Sequence, residues 1–269
     1  MFKNLPTATK LFILCATFLI SIAVPIYGLV TEKRIAIDFS RKELLGSRYL
    51  STLRQIYAAV LADAIEAKPG EDKASRAQLI AALALAEQQS GTHLQTAELA
   101  SAFGTALTQL WATEQQPAQR SGLLLDALFT GQTLAARIGD DSNLALDPDL
   151  DTYYLQNIVV RKLPTFVARL AELQEFFATS VTGGEAPDVR DVRLSALVGL
   201  VRSIANELKE NLEAAYRGNA DGRLRPAIDA KFAAFASSIH SYLGVLMTSA
   251  GGIDTRDTVA YDRYHSNTV

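Results

Sequence analysis

From Leu11 to Val30 the chain carries no charged side chain. About 20 apolar residues rising 1.5 Å each match a hydrocarbon layer roughly 30 Å thick, so this run predicts a transmembrane helix. Lys3 and Lys10 precede it, and Ser21-Ile22-Ala23 would offer small residues to a signal peptidase. A cleaved leader releasing a secreted helical binding protein, cut after Ala23, is therefore the competing reading. Against cleavage, Val24, Ile26, Leu29 and Val30 prolong the apolar run, and the helical pattern continues past Arg34.

Charge alone does not orient the span. Lys3 and Lys10 face Lys33, Arg34, Arg41, Lys42 and Arg48 on the other side. Long translocated domains cross largely regardless of such charges, so we expect the amino terminus inside and the bulk outside the inner, cytoplasmic membrane. Residues 1–10 then form a cytoplasmic tail, 11–30 the span and 31–253 a periplasmic helical domain. Residues 254–269 are polar, and with no second span before them we expect a fragment of a longer chain.

Leu and Ala dominate, and 49 % of the residues are apolar, which favours packed helices over disorder. The net charge of -3 argues against a nucleic-acid binder, which would show a basic face or stripe. Cys15 is the only cysteine and lies in the apolar run, so neither an internal disulfide nor a cysteine metal site is possible. His93, His240 and His265 are scattered without the i, i+4 partner of a zinc pair, so no metal is expected. His240 is conceivable as a phosphotransfer group, but Ile239 and Tyr242 around it read as core. No cofactor motif, glycine-rich phosphate loop or nucleophile elbow occurs, and no enzymatic activity is expected within these residues.

Beyond the span, apolar residues recur every three or four positions. Tyr49, Leu53, Ile56 and Val60 share a face of a helix that prolongs the span to about Lys68-Pro69-Gly70. A second helix is expected over Ala74–Gln89, broken at Ser90-Gly91-Thr92, and a third carries Leu99, Phe103, Ala106 and Leu110. Pro117 opens a fourth, running to about Ile138. Asp147-Pro148 opens a long helix with Leu155, Val159, Phe166, Leu170, Leu173 and Phe177 on one stripe, kinked at Pro164 and ended by Gly183-Gly184. Pro187 starts a helix with a heptad-like seam of Leu194, Leu197, Val201, Ile204, Leu208, Leu212 and Ala215, ending at Gly218-Asn219. The last helix carries Ile228, Phe232, Phe235, Ile239, Tyr242 and Leu246 and stops at Gly251-Gly252. The fold class is all-α: a transmembrane helix continuing into an up-down helical bundle, either two stacked four-helix bundles or one irregular one.

The stretch Asp147-Pro148-Asp149-Leu150-Asp151 reads as a capped helix start, with Asp147 as cap and Asp149 and Asp151 at the positive end of the helix dipole. As a calcium loop it fails, since Thr152 stands where glycine is required and Ile158 where a bidentate glutamate is required. The wider run Asp141-Ser142-Asn143-Leu144, Leu146-Asp147-Pro148-Asp149-Leu150-Asp151 and Tyr153-Tyr154, followed by Arg161-Lys162-Leu163-Pro164, resembles a signature of bacterial receptor input regions. Such regions occur in methyl-accepting chemotaxis proteins, sensor histidine kinases and diguanylate cyclases. The segment from Ile35 to Leu44, with Gly46 and Arg48-Tyr49-Leu50 after it, is similar to the juxtamembrane helix of the same group. The likeness spans about the first 170 residues at motif level. It implies a periplasmic input region flanked by two membrane helices and acting as a homodimer, with a kinase or cyclase output elsewhere in a full-length parent.

A small molecule would bind between helices, where polar residues interrupt the apolar stripes. Tyr154, Asn157 and Arg161 are expected on one helix face, Arg161 clamping the carboxylate of an organic acid or amino acid and Tyr153 or Tyr154 forming a wall. Arg48 and Tyr49 are candidates to face the same place. The alternative is that Arg161 makes an internal ion pair and the tyrosines simply pack. The functional expectation is an extracytoplasmic input module that binds a small molecule or a periplasmic protein, and the rival is a membrane-anchored helical scaffold.

Overall fold

In a computed structural model of the chain, the structure describes residues 6–66, 73–112, 117–144, 149–180 and 186–249. The regular structure among the described residues is all helical, with no strand. In order the helices are α1 (Thr7–Glu66), α2 (Lys73–Leu94), α3 (Ala97–Leu110), α4 (Pro117–Asp141), α5 (Leu150–Asn157), a π-helical turn (Ile158–Lys162), α6 (Leu163–Ser180), α7 (Pro187–Gly218) and α8 (Leu224–Ser249).

The first helix runs unbroken for 60 residues, roughly 90 Å at 1.5 Å each. It is long and apolar enough to cross a membrane, and no part of its apolar stretch is buried by the rest of the chain. Thr31, at the end of the uncharged run, lies inside the helix and donates its hydroxyl to the Tyr27 carbonyl at 2.9 Å. Farther along, Tyr49, Leu53, Ile56 and Val60 are all buried, as their spacing predicts. One rod therefore joins the apolar span to the packed interior.

Two clusters of buried side chains lie beyond it. The first is built by α1, α2, α3 and α4, with Ala168 and Ala171 of α6 closing one side. The second takes Phe166, Leu173 and Phe176 from the opposite face of α6, the α7 seam from Leu194 to Leu208, and Leu243, Leu246 and Met247 of α8. Small side chains on one face of α6 let it approach α4, while bulky ones on the other fill the second core. Every seam residue expected on α7 is buried. Helix α8 docks more lightly, through an edge-to-face contact of Phe235 with Phe166 at 5.2 Å and the apolar residues near its end. Among the described residues three helices, where four were expected, supply most of this second core.

Several sequence expectations shift. Ser90-Gly91-Thr92 does not break a helix: α2 continues to Leu94, and the turn comes at Gln95, whose φ of 48° is left-handed. The Thr96 amide then reaches back to the Gly91 carbonyl at 3.3 Å, the 6→1 bond of a Schellman ending. Gly91 instead makes room for the Glu87 side chain, whose Oε1 lies 1.8 Å from where a Cβ would stand.

The stripe expected from Leu155 to Phe177 changes phase midway, so Val159 is 49 % exposed and Val160 is buried. The π turn is the cause, because its wider ring puts an extra residue into the coil. It ends just before Pro164, which has no amide hydrogen to give a regular helix. The expected ends at Lys68-Pro69-Gly70, Gly183-Gly184 and Gly251-Gly252, and the cap at Asp147-Pro148, lie outside the described residues.

Candidate functional site

Gly46 of α1 and the described residues of the stretch from Asp141 to Lys162 meet at the junction of α1, α4, α5 and α7. Helix α4 ends at Asp141, and Asn143 turns the chain with a φ of 64°, a left-handed conformation that asparagine tolerates better than most residues. Ser142 is fully buried, facing Gly46 of α1, and Leu144 packs beside it. At Gly139, a Cβ would stand 2.3 Å from Cγ1 of Val160, so α4 also touches the π turn at closest approach.

Past the turn, Asp149 occupies the position before α5 in extended backbone and makes no side-chain cap. Asp151, in the first turn, accepts from its own neighbour's amide, Thr152, at 2.8 Å and from Asn219 Nδ2 at 2.9 Å. The Asn219 bond, then the Thr152 amide, hold the Asp151 carboxyl below its usual range. Asn219 Oδ1 in turn accepts the Leu224 amide at 3.1 Å, so one side chain joins the start of α5, the end of α7 and the start of α8. Gly218 permits this contact, since a Cβ there would lie 2.8 Å from the Asp151 nitrogen.

The π turn carries two cations that point to different neighbours. Arg161 Nη2 donates to Asp140 of α4, and Lys162 Nζ donates to Glu207 of α7. One turn earlier, Asn157 donates to Asn211 Oδ1 of α7 at 2.8 Å. Arg161 thus makes the internal ion pair that sequence reasoning set against a ligand contact. Tyr153, Asn157 and Arg161, with Gln156 and Val160, line a hollow of about 310 Å³. Of the two tyrosines expected as a wall, Tyr153 shares that hollow with Asn157 and Arg161, and Tyr154, expected on their helix face, sits edge-on to Tyr153 at 5.2 Å between ring centres.

The other two candidates lie elsewhere. Arg48 is exposed on α1. Tyr49 is fully buried toward α2, donating its hydroxyl to Glu87 Oε2 at 2.8 Å, and the Thr96 hydroxyl donates to the same oxygen at 2.7 Å. Burial first, and the Glu87 carboxylate second, push the Tyr49 hydroxyl above its usual range, so it serves as a donor. Tyr49 therefore holds the first core together and does not face the Arg161 hollow.

Sequence reasoning missed a groove between α1 and the α5–α6 rod. Its upper part, about 390 Å³, is lined by Ser47, Leu50, Ser51, Arg54, Leu144, Leu155, Gln156, Val159 and Val160. Its lower part, about 230 Å³, lies among Leu50, Leu53, Arg54, Tyr57, Ala58, Leu61, Val159, Leu163, Pro164 and Val167, with Ala135 of α4 below. The groove exists because the π turn swings Val159 out of the core while Val160 fills it; no spacing rule applied to a regular helix could find it. Among the described residues no three His, Cys, Asp or Glu side chains gather as a metal site.

No family model, no curated protein and no solved structure matches this chain.

Proposed function

We propose that the chain is the extracytoplasmic ligand-sensing input module of a bacterial transmembrane receptor of the histidine-kinase or chemoreceptor type. It is anchored in the inner membrane, has its bulk in the periplasm and acts as a homodimer. The observation that carries this reading is the continuity of α1, whose apolar span and buried core residues Tyr49, Leu53, Ile56 and Val60 belong to one helix without a break. A shift or rotation of the core against its neighbours is then felt along the span without a flexible joint. The signature-like residues support the same reading, because Gly46, Ser142, Asn143 and Asp151 are the ones that fasten α1, α4, α5 and α7 together. Ile35, Ile37 and Leu44 are 66, 59 and 52 % exposed on the stretch of α1 between span and core, which supports pairing with a second copy there.

Cys15, inside the span, provides the test. The full chain in lipid nanodiscs, spin-labelled at Cys15, is titrated with amino acids and short organic acids while melting temperature and label-to-label distance are followed. A receptor module shows a compound that raises the melting temperature and shifts the distance between the two copies, since a ligand acts only through different affinities for two states. Stabilisation with no change at Cys15 favours the membrane-anchored scaffold. Unchanged affinity in Arg161→Ala removes the hollow beside Tyr153 as the site.

A further inference from the structure

We infer that the groove between α1 and the α5–α6 rod binds a free medium-chain carboxylate, with its chain in the lower hollow and its head group at Arg54. The two hollows share Leu50, Arg54 and Val159, so they adjoin along α1 as the two halves of one groove. Together they fall within the range of about 300–1,000 Å³ usual for small-molecule sites.

The chemistry of the occupant follows from the lining. The lower hollow is walled almost wholly by aliphatic side chains and the edge of Tyr57, whose hydroxyl is already given to the Leu128 carbonyl at 3.0 Å. Apart from Arg54 at its mouth, the described residues offer a ligand there only apolar contact, which selects a hydrocarbon chain. Where the two hollows meet stands Arg54, the one charged side chain among the described residues that lines either of them. Unlike Arg161 and Lys162, which are matched by Asp140 and Glu207, Arg54 has no carboxylate within ion-pair distance among the described residues. Ser47 and Ser51, one turn apart on α1, add hydroxyls on the same side of Arg54. A cation at the mouth of an apolar slot, flanked by hydroxyls, is complementary to a carboxylate on a hydrocarbon tail. Such a molecule would touch both α1, which continues into the apolar span, and the rod carrying the π turn.

This deepens the ligand-sensing reading and rests on it only for what binding does afterwards. The probe is sodium decanoate, titrated calorimetrically into the full chain in nanodiscs, with empty nanodiscs correcting for partition into lipid. Saturable binding of one decanoate per chain is expected, weakened about tenfold or more in Arg54→Ala. Val159→Trp should abolish it at an unchanged melting temperature, because a half-exposed side chain is enlarged into the groove and not into the core. Decanol should bind at least tenfold more weakly than decanoate. No saturable binding above the lipid background, equal binding of decanol, or binding indifferent to both substitutions overturns the inference. So does complete, decanoate-insensitive disulfide cross-linking between copies of Ala58→Cys in a Cys15→Ser background, which would show the groove covered by a second chain. Decanoate binding that leaves spin labels at Cys15 unmoved keeps this site and removes the signalling reading. Movement at Cys15 driven by another compound, with no decanoate bound, does the reverse.

Discussion

Gly46 of α1 lies so close to Ser142 that a Cβ on the glycine would stand 2.2 Å from the serine Oγ and 2.3 Å from its Cβ. Two stretches nearly a hundred positions apart in sequence therefore meet with no space for a methyl group. Gly46→Ala gains helix propensity of up to about 1 kcal/mol but must push Ser142 and Leu144 aside, an overpacking cost of about 1–3 kcal/mol. The expected outcome is net destabilisation in denaturant melts, largely reversed in Gly46→Ala/Ser142→Gly. Additivity of the two changes would show that the contact does not couple them.

Tyr49 and Thr96 share one oxygen of Glu87, and both are fully buried. Tyr49→Phe keeps the ring packing and removes a hydrogen bond to a charged acceptor, for an expected loss of about 1.5–3 kcal/mol by chemical denaturation. Tyr57, also buried, is raised with Tyr49 above the ordinary value of 10.0. For a group raised on folding, the stabilisation is complete below pH 10.0 and fades as pH climbs past it, because the unfolded chain loses the proton first. Alkaline melts should steepen above that pH in the wild type and less in Tyr49→Phe.

Asp151 behaves in the opposite sense. Its folded value is lowered from 3.8, chiefly by Asn219, so its contribution is present above pH 3.8 and disappears as pH falls through the folded value. Asn219→Ala should lower the melting temperature at neutral pH, with the gap to wild type narrowing in acid. A remnant should persist at all pH values, because the Leu224 amide also loses its acceptor.

Ile20 lies near the middle of the uncharged run and is 62 % exposed. Ile20→Arg places a charge at mid-span depth, costing about 2.5–3.5 kcal/mol of insertion free energy. The variant should move from the carbonate-resistant membrane fraction toward the soluble one, while far-ultraviolet circular dichroism stays helical. Full retention in the membrane would remove the span from α1.

Periodicity made the helices and most of the core legible: Tyr49 to Val60 on α1 and Leu194 to Ala215 on α7 are buried where their spacing puts them. It failed where local geometry departs from a regular helix. Gln95 takes the left-handed position that glycine usually fills, so the end of α2 gave no compositional sign. Val159 and Val160 are chemically identical, and only the π turn decides which faces inward. For the candidate residues, Tyr49 was legible as part of the apolar face of α1, and its placement beside Arg161 was not carried by the spacing. Their partners, Glu87 and Asp140, sit on other helices and could not be read from either stretch.

Because Ile158–Lys162 holds one residue more than a regular coil needs, it is the place in the α5–α6 rod where shortening the gene by one codon does least harm. A loss between the π turn and Phe166 would turn every later side chain by about 100° and pull both Phe166 and Ala168 away from the separate interiors they fill.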